Sequence, residues 1–278
     1  MKHRFAYLLA ITLVLGAGAA AAQQSREDCE RDFRPRSGQP GKDVIWVPTG
    51  DETVSAMLKM AGVTPRDLVV DLGAGDGKIA IAAAKEFGAR ARGIEYNPDM
   101  VKLAQCYAVV EGVADKVDIQ QGDIFESDFS DATVVTMYLL PSLNLQLRST
   151  LLDMKPGTRV VSHSFDMDDW EADETYGEGY HQAYLWIVPA KVAGRWDFVQ
   201  VDGEERFTVE LEQSFQKLSG TVALGGTSQP LTQARVRGDE IVLEFTGADG
   251  RSHTLTGTVG AAGIEAARDG VKFRATRS

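Results

Sequence analysis

Cysteine and histidine are sparse: the 278 residues hold two Cys and four His. Cys29 and Cys106 have no paired histidines at metal-ligand spacing, which excludes a zinc motif. No set of carboxylates has the fixed spacing of a calcium loop either, so no metal is expected. Cys29 sits in a polar leader and Cys106 on a predicted helix of the main domain. That separation argues against a disulfide, although an exported protein can oxidise its thiols. Runs of Lys and Arg are absent as well. Lys+Arg total 29 against Asp+Glu 40, a net charge of −11, which disfavours nucleic acid and anionic lipid as partners. The apolar stretch near the N-terminus falls short of the ~20 residues a membrane-spanning helix takes. The remainder is ordinary: 44% hydrophobic and 25% charged residues exclude disorder, collagen and coiled coil as whole-chain descriptions. The length allows one large domain or two modest ones.

Residues 1–22 stand apart. Lys2, His3 and Arg4 precede an apolar run from Phe5 to Val14, and small residues then lead to Ala20-Ala21-Ala22. A charged start, an apolar middle and an A-x-A exit are the pattern of a secretory signal peptide. The expected location is therefore the periplasm or envelope, with an uncleaved membrane anchor as the alternative. No Cys follows the small residues, so there is no lipid-attachment site. Residues 23–42, with Pro35, Gly38, Pro40 and Gly41, read as an extended leader.

From 43 to 201 apolar runs alternate with amphipathic stretches. Strands are expected at Leu68–Leu72, Ala91–Glu95, Lys116–Gln121, Ala132–Leu139 and Thr158–His163. Helices are expected at Lys78–Phe87, at Pro98–Val110 with Pro98 in the first turn, and at Leu143–Met154. Strands alternating with helices imply βαβ units and a parallel sheet covered on both faces, an α/β, Rossmann-like domain.

The chemistry starts where the first strand ends. Asp71-Leu72-Gly73-Ala74-Gly75-Asp76-Gly77 is a glycine-rich turn opening a helix, so a ligand can approach the backbone closely. Glu95 ends the second strand, where an acid can accept hydrogen bonds from two ribose hydroxyls. Gln121-Gly122-Asp123-Ile124 ends the third and can supply a base contact. All three segments fall at the carboxyl edge of the sheet, where such folds bind ligands. The spacing is G-x-G-x-G, not the G-x-G-x-x-G that seats a dinucleotide pyrophosphate.

With these segments in view the sequence resembles the class I S-adenosylmethionine-dependent methyltransferases, through VVDLGAGDGKIAIAAA (69–84), GIEYN (93–97) and QQGDIFE (120–126). Two further stretches, VPTGDETVSAML (47–58) and VVTMYLLPSLNLQLRSTLLDMKPGTRVVSHSFDMDDW (134–170), resemble the lysine methyltransferase branch. That branch includes mitochondrial enzymes acting on ATP synthase and their bacterial relatives. The resemblance implies S-adenosyl-L-methionine as cofactor. It places Gly73, Gly75 and Gly77 beneath the methionine and ribose, and Asp71 near the methionine ammonium. It places Glu95, beside Asn97, on the ribose hydroxyls, and Asp123, beside Ile124, on the adenine amino group. Thr49 becomes a cofactor contact, while Tyr138, Leu139 and Pro141 wall the methyl-transfer pocket, with Tyr138 able to orient an amine. The D/N-P-P-Y tetrapeptide of amino-group methylation on nucleobases or glutamine is absent, and Tyr138-Leu139-Leu140-Pro141 stands in its place. The implied activity is methyl transfer to an acceptor such as a protein lysine. An exported protein that keeps the fold only for binding is the alternative.

His163, at the end of the fifth strand, reads as structural, and no general base stands out. The acidic stretch from Asp166 to Glu174 reads as a solvated loop, with a selector for a cationic substrate as the sharper possibility. Residues 202–278 alternate apolar and polar positions between glycine turns, which predicts a small antiparallel all-β domain, a meander or barrel, without a catalytic constellation.

Overall fold

The structure, a computed structural model, describes residues 25–247 and 249–278. The signal segment expected at 1–22 lies outside the described residues. Among the described residues no helix is long and apolar enough to cross a membrane.

The first of two sheets has seven strands: β1 (Leu68–Leu72), β2 (Arg90–Glu95), β3 (Val117–Gln121), β4 (Val134–Met137), β5 (Arg159–His163), β6 (Glu174–Tyr176) and β7 (Ala183–Ile187). Their order is β3-β2-β1-β4-β5-β7-β6. Strands β1 to β5 pair in parallel, and β7 is antiparallel to both β5 and β6. Neighbouring residues of β1 serve opposite faces. Val69 packs with α2 (Asp51–Met60), α3 (Lys78–Phe87) and α4 (Pro98–Val110), while Val70 packs with α5 (Pro141–Leu152). This period-two division, with both faces apolar, is what a doubly covered parallel sheet requires. The α/β, Rossmann-like expectation therefore holds. Helix α5 starts at Pro141, ahead of the predicted Leu143, because proline at the first helical position loses no hydrogen bond.

The leader departs from the extended reading. Ser25 and Asp28 form a reciprocal capping box on a single helical turn, α1 (Arg26–Cys29). Here α1 packs on α4. Tyr107 donates to Glu30 at 2.8 Å, Arg26 pairs with Glu111 at 2.8 Å, and Cys29 is bonded to Cys106 with a Cα separation of 5.7 Å. The sequence argument against that disulfide fails because the leader folds back onto the helix carrying Cys106.

The second sheet comprises β8 (Gly194–Gln200), β9 (Arg206–Ser214), β10 (Lys217–Leu224), β11 (Thr227–Pro230), β12 (Gln233–Arg237), β13 (Glu240–Thr246), β14 (Ser252–Gly260), β15 (Gly263–Arg268) and β16 (Val271–Arg277). It begins at Gly194, ahead of the expected 202, because the alternation around Trp196 and Phe198 serves this sheet. Strand β9 pairs with both β8 and β10, and β16 pairs with β8, so the meander closes into a barrel. Phe198, Phe207, Phe245 and Phe273 fill its interior, with Phe198 and Phe207 stacked at 4.9 Å. The barrel is a packed core and not a carrier cavity.

Replacing Cys29 and Cys106 together by serine is expected to lower stability by about 2–4 kcal/mol through restored loop freedom in the unfolded chain. Urea unfolding checks this: an unchanged midpoint would mean that the ion pairs of α1 suffice.

Candidate functional site

The glycine turn after β1 folds onto β2. Gly73 and Ala74 both donate their N–H to the Ile94 carbonyl, at 2.9 and 3.0 Å. The next residues reach Glu95. Gly75 N–H donates to its Oε2 at 2.8 Å, and Asn97 N–H donates to its Oε1 at 2.8 Å. The carboxylate is thus aimed by two backbone amides, one on each oxygen. Gly75 has φ +55°, and a Cβ there would lie 2.5 Å from the indole nitrogen of Trp46. Only glycine lets the turn and the indole meet.

Around this turn a cleft opens at the carboxyl edge of the sheet. Thr49, Asp71, Gly73, Gly75, Glu95, Asn97, Asp123, Ile124, Tyr138 and Leu139 all line it. Gly77 does not. With φ +77°, its Cβ position would fall 2.9 Å from Ala104 Cβ, so this glycine lets α3 start against α4 and does not underlie the cleft. Asn97 is committed to capping α4, its Oδ1 accepting from Asp99 N–H at 2.9 Å. Pro141, expected in the wall, opens α5 outside the cleft lining.

Asp71 is buried and accepts a hydrogen bond from the Thr136 hydroxyl at 2.8 Å. Burial, reinforced by the nearby charges of Asp76 and Glu95, pushes its carboxyl up to about 7. Burial also raises Asp76. Asp123 goes the other way. Its ion pair with Lys42 and the Phe125 N–H at 3.0 Å hold it below the usual carboxylate range. Also lining the cleft, Tyr138 lies over His163, ring centres 4.1 Å apart, and stacks on Phe165 at 6.3 Å. His163 Nδ1 is 3.2 Å from the Thr49 hydroxyl. A second cavity, more apolar than polar, shares Tyr138, Leu139 and the 40–47 segment with the cleft; Val44, Ile45, Leu140 and Phe165 line it together with the charged Lys42 and Asp43.

Lys42, Ile45 and Trp46 complete the cleft, although nothing in their sequence pattern assigns them a role. They belong to a strap of residues 39–49 that crosses the mouth, with Lys42 also 5.1 Å over the Tyr96 ring. Their signal is faint: V-P-T at 47–49 marks the end of the strap, and Trp46 stands just before it. The acidic stretch is solvent-exposed, as a solvated loop would be, but three of its acids are paired. Asp169 pairs with Arg148, Glu171 with Lys217 at 2.6 Å and Glu174 with Arg237 at 2.9 Å.

A carboxyl with a raised folded-state value binds its proton more tightly folded than unfolded. Through Asp71 the ligand-free protein therefore loses stability as pH rises from about 4 to about 7. Asp71→Asn is expected to flatten this part of the pH–stability curve, checked by thermal unfolding of both proteins between pH 5 and pH 8. Parallel curves would count against a buried ionising Asp71.

Known proteins share this cleft region. A family model described as the ANTKMT methyltransferase domain matches residues 71–174. A protein-lysine N-methyltransferase of Saccharolobus islandicus is 42% identical over 151 residues, 52% of this chain and 94% of that protein. An ATP synthase lysine N-methyltransferase of Xenopus laevis is 35% identical over 146 residues, 52% of this chain, and the chain spans only 64% of its length. Among solved structures, an RNA methyltransferase from Salinibacter ruber in complex with S-adenosyl-L-homocysteine has 50% identity and a TM-score of 0.52, covering 52% of this chain and 96% of that one. The demethylated product bound in that neighbour identifies S-adenosylmethionine as the cofactor. The chain belongs to the class I S-adenosylmethionine-dependent methyltransferases, in the family that the protein-lysine N-methyltransferases represent.

Proposed function

We propose that this methyltransferase modifies a lysine amine of a protein in the cell envelope. The observation that carries the lysine reading is the apolar cavity joined to the cleft through Tyr138 and Leu139. An amine has a free pKa of ~10.4 and must lose its proton before it attacks. The apolar part of the wall, Ile45, Leu139, Leu140 and Phe165, disfavours its ammonium form. The names of the lysine-modifying relatives support the same class. The net charge of −11 favours a protein over RNA, although one similar structure is that of an RNA methyltransferase. Export is supported by the N-terminal sequence pattern and by the Cys29–Cys106 disulfide, a bond kept in oxidising compartments.

The residues present fit the cofactor. Glu95 presents a fixed carboxylate for a pair of hydroxyls, and buried Asp71 can accept an ammonium. Asp123, engaged by Lys42 and by the Phe125 N–H, keeps a lone pair on each oxygen for an amino group. When bound, S-adenosylmethionine supplies a methyl activated on a sulfonium. The chain supplies alignment, which can contribute several kcal/mol. Tyr138, seated on His163, orients the acceptor amine, while Leu139 and Phe165 keep water from the line of transfer.

Three outcomes are expected. Glu95→Ala weakens S-adenosylhomocysteine binding by about tenfold or more, since hydrogen bonds to an ionised group contribute ~1.5–3 kcal/mol; calorimetry showing equal affinity would remove Glu95 from the ribose. Binding tightens as pH rises through about 7, where Asp71 ionises, and Asp71→Asn abolishes that trend. Labelled methyl enters protein lysines of an envelope extract from a strain lacking the gene. Label found only in RNA, or binding without transfer, would overturn the lysine reading.

A further inference from the structure

The barrel has no counterpart in the matched region of the relatives, which ends near residue 174 in the family model. One of its contacts with the methyltransferase domain falls on the loop that leaves β5. That loop follows His163, runs through Phe165 in the wall of the second cavity, and ends before Glu174. Its backbone is unusual, since Ser164 and Asp168 hold positive φ values of 63° and 58° without being glycine. Such conformations persist only where surroundings hold them.

From the inside, α5 holds the loop. The Asn144 side-chain amide, fully buried, lies 3.2 Å from each of the Phe165 and Asp166 carbonyls, and Arg148 donates to the Met167 carbonyl at 2.9 Å. From the outside, the hairpin turn between β9 and β10 holds it. Phe215, itself at φ 56°, stacks on Trp170 with ring centres 6.0 Å apart and planes at 17°, and the Arg148 guanidinium lies 5.6 Å from its ring centre. The next residue, Gln216, donates to the Glu171 carbonyl at 2.7 Å, and Lys217 pairs with the Glu171 carboxylate at 2.6 Å. Trp170 is clamped in turn, its carbonyl accepting from Trp186 Nε1 at 2.7 Å.

We infer that the barrel is a buttress for the acceptor side of the active site: Phe215 is a positioning residue that acts through Trp170 and the 164–171 loop on Phe165, and through Phe165 on Tyr138. Among the described residues none from the barrel lines the cleft, and the cofactor loops at 73–77 and 95–97 are held by contacts of their own. The two halves of the reaction are therefore separable. Losing the buttress costs acceptor use and leaves the cofactor bound as before. The proposal rests on the lysine-transfer reading for its acceptor, and on geometry alone for the loop.

The test uses the full chain with Phe215→Ala and Phe215→Tyr. In Phe215→Ala, amides of 164–172 are expected to exchange with solvent about tenfold faster, because the ring contact with Trp170 is lost. Amides of 71–80 keep their wild-type exchange, and S-adenosylhomocysteine affinity stays within about twofold, a small step on a scale where tenfold is ~1.4 kcal/mol. Methyl transfer into the envelope-protein extract needs about fivefold or more extract for half-saturation, and Phe215→Tyr restores both loop protection and transfer. Unchanged protection of 164–172, an equal loss of S-adenosylhomocysteine affinity, or a failure of Phe215→Tyr to rescue would each overturn the buttress. A wild-type protein that moves no methyl to lysine would instead refute the lysine reading, and the exchange and affinity arms would still decide the buttress.

Discussion

The cleft depends on the grip of two backbone amides on one carboxylate. Glu95 belongs to β2, Gly75 to the turn after β1 and Asn97 to the start of α4, and the carboxylate joins the three within 2.8 Å hydrogen bonds. Backbone donors have no rotamers to lose, so the acid is fixed before any ligand arrives. Each oxygen keeps a lone pair for a hydroxyl once its amide is satisfied. The same two bonds tie the glycine turn to the neighbouring strand, and Trp46 can lie on Gly75 only because the turn is held there. The acid proposed for the ribose is thus also the element that shapes the cavity.

Much of this was legible in the chain. The β1 turn, Glu95 and Asp123 follow from apolar runs ending in glycine or acid, a pattern local to each strand end. The parallel order of the strands then brings the three together, because the carboxyl ends of parallel strands share an edge. What could not be read depends on contacts remote in sequence. Gly77 looks like a third cradle glycine until Ala104, on another helix, is seen against it. Cys29 looks isolated until the Ser25–Asp28 capping box turns the leader into a helix that packs on α4. Lys42 and Trp46 sit among Pro and Gly in a segment with no periodicity, and only the fold-back brings them to the mouth. The pairing of the acidic stretch could not be read because its partners Lys217 and Arg237 lie in another domain.

The leader and the disulfide belong to one arrangement. Cys29–Cys106 and the Arg26–Glu111 pair fasten α1 to α4, and the Thr49 hydroxyl meets His163 at the far end. Between those anchors residues 39–49 run across the cleft with Lys42 on Asp123. A flexible segment of that length would cost conformational entropy each time it ordered over a ligand. Anchoring both ends lowers that cost in advance. The strap is therefore a preformed wall, consistent with a fold that meets its cofactor with the site already shaped.

Electrostatics divides the cleft in the same sense as its walls. Asp71, Asp76 and Glu95 crowd negative charge beneath the glycine turn, and the burial that raises Asp71 shows how little solvent relieves it. A ligand bringing positive charge to that end relieves the repulsion and lets the buried acid ionise, so the site is complementary to a cation before one is present. Beside it the walls around Tyr138 and Phe165 are mostly apolar, with Leu139 against Gly73 and Tyr138 two residues beyond Thr136, the partner of Asp71. One wall prefers a charged group and the other disfavours it. That asymmetry suits a cofactor whose amino acid part is charged and whose methyl faces the acceptor. The barrel adds nothing to the charged wall. Its ring contact with Trp170 supports only the apolar one, where alignment of two reactants within ångströms decides the rate.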